Sequence, residues 1–153
     1  MGQGFIFGNK ILDVVFVSAF LAQFWKVVSP IFKGQGLKWN RLFATGGMPS
    51  SHSSTVTSLA TCIFIIEGHK SIPFAITMIL AGITMYDAAG VRRAAGRHAN
   101  ILNTLLEIIK DKDNLKFKHT HLKELLGHEP AEVFAGAVLG VIVAFAMKTY
   151  LIG

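Results

Sequence analysis

Four stretches of the chain carry no charged side chain: residues 14–25, 53–66, 71–86 and 133–147. The charges gather between them, in 26–48 and 91–132. Buried helices of a soluble bundle keep a polar outer face, and "AITMILAGITMY" and "VFAGAVLGVIVAFAM" have none. These runs read as helices surrounded by hydrocarbon. Each is shorter than the roughly 20 residues that cross a bilayer, so polar or small residues must complete the ends. The predicted spans are 11–31, 52–68, 71–90 and 130–151.

The region 91–129 has a different pattern. Ile101, Leu102, Leu105, Ile108 and Ile109 alternate with charge at helical spacing, a polar break follows at "KDKDN", and "HLKELL" reads as a short helix. The expected architecture is an all-α integral membrane protein. It comprises one domain over 1–153, a compact bundle of about four transmembrane helices with an amphipathic, cytoplasmic helical insertion at 91–129. No internal repeat or low-complexity linker interrupts it.

Composition agrees. Hydrophobic residues make up 52% and charged residues 16% of the 153, against roughly 25% charged in soluble domains, and mean hydropathy is +0.50. Asp13 and Gln23 in the first apolar run, with no small-residue cleavage site, speak against a removable signal peptide. The single Cys62 excludes an intrachain disulfide and reads as a small core residue. Threading four spans puts twelve of the fifteen Lys and Arg on the side holding 32–51 and 91–129. The positive-inside rule makes that side cytoplasmic. The net charge of +6 is then a matter of topology, and no aromatic-interleaved basic patch points to nucleic acid.

That threading brings four helix ends to one face. They carry Lys26, "GGMPSSH" at 46–52, "DAAGVRR" at 87–93 and "GHEPAE" at 127–132. Glycines and serines ahead of an apolar helix offer backbone N–H groups and hydroxyls to an anion; an ordinary N-cap would look the same. Pro130 suits the first helical position and Glu129 the N-cap. Glu132 can then fix the tautomer of His128 and free its other nitrogen for attack, or it can simply cap the helix beside a solvent-facing histidine. Two histidines, an anion-binding turn and several cations point to phosphoryl transfer through a phosphohistidine, with no metal or other cofactor. A metal site on Asp111, Asp113, His119 and His121 lacks a ligand spacing.

The order Lys, "PSSH", Arg, "HEPAEVFAGAVLG" resembles the type 2 phosphatidic acid phosphatase superfamily, related to the vanadium haloperoxidases. "AQFWK", "TGGMPSSHS", "MYDAAGVRRAAG" and "ELLGHEPAEVFAGAVLG" resemble its small divergent branch over roughly 22–140. The resemblance implies a metal-independent membrane phosphatase acting on a lipid phosphomonoester or diphosphate. It implies His128 as nucleophile with Glu132 at the acid position, His52 as general acid, Ser50 and the Ser51 amide as phosphate ligands, and Lys26 with Arg92 as a cationic clamp. Arg93 accompanies Arg92; Lys33, Lys38 or Arg41 could replace Lys26, and Asp87 could orient either arginine or form an ion pair. Ser51 stands where the superfamily has Gly, Val91 where it has Ser, and 93–127 separates the Arg from the His. A contiguous match would use His98, with Leu102 at the acid position; His98 reads instead as a polar residue of the interfacial helix. The alternative is a catalytically silent member binding anionic lipid headgroups or a phosphorylated partner. Gly136 and Gly140 form a small-xxx-small face able to pack within the chain or to build a homodimer.

Overall fold

The computed structural model describes residues 3–34, 36–39, 46–113 and 128–153, leaving aside the side chains of 33, 91–93, 107 and 109–113. Among the described residues every regular element is a helix, without strands. α1 spans Lys10–Val28 and ends in a 3-10 turn over Ser29–Lys33; α2 is Ser51–Glu67, α3 Ile72–Ala89, α4 Val91–Asp113, α5 Pro130–Ala146 and α6 Lys148–Ile152.

Local chemistry explains the boundaries. Asn9 caps α1, its Oδ1 accepting from Ile11 N–H at 2.9 Å. Ser71 caps α3 through Phe74 N–H at 3.3 Å, and Pro73 occupies the first turn, where no backbone donor is needed. α2 stops at Gly68, whose φ of +81° suits glycine. The span expected at 130–151 is broken at Met147, after which the last turn brings Tyr150 and the buried Leu151 back toward α1.

α2 is the central helix, packed against α1, α3 and α5. It is also the most hydroxyl-rich. Ser18 and Ser54 bond reciprocally, each hydroxyl reaching the other's carbonyl, at 3.3 and 3.2 Å. Thr57 Oγ1 donates to Ala137 O of α5 at 3.1 Å. Such residues let backbones approach closely and supply bonds between helices where hydrocarbon gives no hydrophobic drive. Gly136 and Gly140 serve the same end: a β-carbon on Gly136 would overlap the Ser50 carbonyl, and one on Gly140 the Ser54 carbonyl. The close contact of the small-xxx-small face is thus made with α2 of the same chain.

Away from the α2 start, Val14, Cys62, Val143, Ala144 and Leu151 form the apolar core. Next to it the buried Asp13 accepts from Phe7 N–H at 2.9 Å and from Tyr150 OH, tying the N-terminal turn to α6. Tyr150→Phe is expected to loosen that turn, visible as faster amide exchange at Phe7; unchanged exchange would mean the phenol does not hold it.

The outer faces are apolar. α3 exposes Ile72, Ile76, Ile79, Ile83 and Tyr86 along one stripe. Lys10–Phe32 and Ile72–Leu106 are long and apolar enough to cross a membrane, and Pro130–Ala146 is a shorter apolar helix. On α4, Ile101, Leu102, Leu105 and Ile108 are exposed while Gly96, Ala99 and Asn103 are buried. It is amphipathic as expected, with its large apolar side chains facing outward. The helix expected at "HLKELL" lies outside the described residues.

Candidate active site at the converging helix ends

Two backbone hydrogen bonds set the frame. Ser50 N–H donates to Glu132 O at 2.9 Å, and His128 N–H donates to Ala88 O at 3.0 Å. The first turn of α5 is therefore tied to the start of α2 and to the end of α3. The positive ends of α2 and α5 lie together at this place.

His128 is only 2% exposed. Its Nδ1 lies 2.9 Å from Glu132 Oε2, and the same oxygen accepts the Glu129 N–H at 3.3 Å. The sequence left a capping glutamate and a histidine-orienting carboxylate as alternatives; one oxygen performs both tasks. An ionised carboxylate can only accept, so Nδ1 carries a proton, and in the neutral ring the lone pair sits on Nε2. Nε2 is buried with no hydrogen-bond partner among the described residues.

His52, the second residue of α2, holds its ring 6.1 Å from that of His128, at 63°. Ser50 is fully buried, and its Oγ accepts from Ser53 N–H at 3.3 Å. The cap leaves the hydroxyl proton available to an acceptor. Ser51, half-buried, opens α2. Lys26, in the last turn of α1, is 2% exposed, and its amine has no hydrogen-bond partner among the described residues. Its stem runs beside Gly47, where a β-carbon would stand 3.9 Å from Cδ, and Glu132 is the acid whose charge acts on it.

The remaining expectations divide. Asp87 is half-buried in the last turn of α3, and Lys38 is half-buried beyond α1, its N–H donating to Val27 O at 3.4 Å. His98 is exposed on α4. Arg92 and Arg93 belong to the first turn of α4; their side chains, those of Lys33, Asp111 and Asp113, and residues Arg41, His119 and His121 lie outside the described set. Ser53 was not singled out from the sequence, yet its hydroxyl is buried without a partner among the described residues, one turn below Ser50. The double serine pair of "PSSHSS" is its only signal.

A buried amine, a donor hydroxyl, two helix N-termini and a buried histidine thus gather at one end of the bundle, groups of the kind that bind a tetrahedral oxyanion. Glu132→Ala would strip acceptors from both His128 and the Glu129 amide, with an expected cost of about 1–3 kcal/mol. Glu132→Gln, which still accepts, should retain most of that stability. Thermal unfolding in detergent compares them; equal losses would mean the bonds contribute nothing.

The family profile described as "Divergent PAP2 family" matches residues 7–143. A relative from Bacillus subtilis (strain 168), "Uncharacterized membrane protein YuiD", is 41% identical over 138 residues, covering 84% of this chain and 87% of its own. No solved structure matches. With a family match that takes in α1, α2, α3 and most of α5, the chain belongs to the divergent PAP2 family.

Proposed function

We propose that the protein is a multi-pass membrane phosphatase that hydrolyses a phosphomonoester or diphosphate on a lipid, with its site at the cytoplasmic face. The observation that carries the reading is the pair of buried His128 and half-buried Glu132 at 2.9 Å, with Nε2 unengaged among the described residues and the His52 ring 6.1 Å away. In the first step Nε2 attacks phosphorus and the ester P–O bond breaks. His52 gives the leaving oxygen its proton. In the second, His52 takes a proton from water, the resulting hydroxide attacks phosphorus, and the P–N bond breaks to release inorganic phosphate. Lys26, the Ser50 hydroxyl and the α2 amides balance the charge on the phosphoryl oxygens. Glu132 keeps the nucleophile in one tautomer throughout.

The lipid part of the reading is supported by apolar outer faces around the site and by a membrane-protein relative. The test is phosphate release by the purified protein from phosphatidic acid, phosphatidylglycerol phosphate, a prenyl diphosphate and a soluble phosphoester. Release from at least one lipid, lost in both His128→Ala and His52→Ala, is the expected result. Undiminished release from phosphatidic acid in either variant would remove the histidine mechanism.

A second reading is favoured by Ser51, whose side chain occupies the start of α2 where the superfamily has glycine. In that case the niche binds anionic lipid headgroups without turnover. Saturable lipid-phosphate binding by a folded protein that releases no phosphate would select it.

A further inference from the structure

Beside His52 the surface opens into a furrow of about 480 Å³ between α1 and α3, floored by α2. One wall is a single stripe of α1, where Phe16, Ala19, Phe20 and Gln23 recur at i, i+3, i+4 and i+7. The opposite wall includes Thr84 of α3. From Gln23 to Phe16 the stripe runs about 10 Å, two helical turns. Its polarity is graded: Gln23 and His52 stand at one end, Phe16 at the other. His52 belongs both to this furrow and to the histidine pair, so the two are continuous.

We infer that the furrow receives the hydrocarbon chain of the phosphorylated lipid, which enters sideways between α1 and α3, and that Phe16 and Phe20 determine which chains fit. The inference rests on the phosphatase reading only for what happens to the head. An apolar lane ending at an anion niche suits an amphiphile bearing phosphate, whereas a soluble phosphoester leaves the lane unused. The chain arrives from hydrocarbon, so burial gains nothing from leaving water. Discrimination therefore comes from van der Waals fit against the two rings and the α2 floor. Filling the lane from either wall should exclude the chain while the head niche stays open.

The test uses the full chain in phosphatidylcholine nanodiscs and phosphatidic acid carrying a diazirine midway along one acyl chain. Labelling is expected on α1 and α2 peptides, suppressed by excess unmodified phosphatidic acid but not by additional phosphatidylcholine. Ala19→Trp and Thr84→Trp, which fill the lane from opposite walls, should each reduce this competable label at least tenfold. They should also lower the ratio of lipid to soluble-phosphoester release by a similar factor. Label spread evenly over the lipid-facing helices, or indifferent to phosphatidic acid, would overturn the inference even if only the wild type could be purified. So would competable label undiminished in a folded Trp variant. Competable label without any phosphate release would leave the furrow standing and remove the phosphatase reading; release with label that phosphatidic acid does not suppress would do the reverse.

Discussion

Replacing His128 by alanine is expected to reduce phosphate release by at least about 10³-fold, since without its Nε2 no covalent intermediate forms and only the binding groups remain. Binding of the lipid phosphate should persist, because Lys26, Ser50 and the α2 amides are untouched. His52→Ala should act differently. Loss of a general acid typically costs about 10²–10⁴-fold, and the loss should shrink for a phosphoester whose leaving group needs no proton. A substrate panel thus separates the histidines: the His128 defect is uniform, the His52 defect tracks leaving-group basicity. Equal sensitivity of both variants to the leaving group would contradict the assigned roles.

The second large effect is structural. Gly136→Ala places a methyl on the Ser50 carbonyl, backbone against backbone, with Ser53 Cβ at 3.0 Å leaving no room to swing aside. Overpacking of this kind costs about 1–3 kcal/mol or more. It also acts on the site, because Ser50 N–H is bonded to Glu132 O and any separation of α5 from α2 moves His128 relative to His52. Activity is expected to fall even at temperatures where the variant is folded. Gly82 is the control: apart from its own helix's backbone and its chain neighbours, no atom of the described residues lies within 4 Å of a β-carbon there, and alanine in a helix interior should be neutral or stabilising by up to about 1 kcal/mol. Thermal unfolding and phosphate release on the two variants check this. A Gly136→Ala protein as stable and active as Gly82→Ala would show that the close α2–α5 contact is dispensable.

Much of this arrangement is legible in the sequence because charge marks the helix ends. The charge-free runs fall within α1, α2, α3 and α5 apart from short overhangs, and threading alone brings Lys26, "PSSH" and "GHEPAE" to one end of the bundle. What composition could not convey is direction within the bundle. The Ser/Thr face of α2 reads as anion-binding near its start, yet Ser54 and Thr57 are spent on bonds to α1 and α5. Hydroxyls do both jobs and nothing in one sequence tells which. Gly136 and Gly140 were equally suited to a partner chain, and only three-dimensional packing shows them against α2. The break at Met147 has no proline or glycine to announce it. Its outcome, Tyr150 reaching Asp13, depends on a contact 137 residues apart in sequence. For His128 and Glu132 the spacing of four was informative because a helix start converts it into adjacency.

The measurement that tests the central claim most directly is isolation of the covalent intermediate. Protein turning over ³²P-phosphatidic acid is denatured and digested under alkaline conditions, which preserve phosphohistidine, and the labelled peptide is identified. Phosphate on His128 is expected in the wild type, and none in His128→Ala. Phosphate release with no labelled histidine, or label on another residue, would contradict the account.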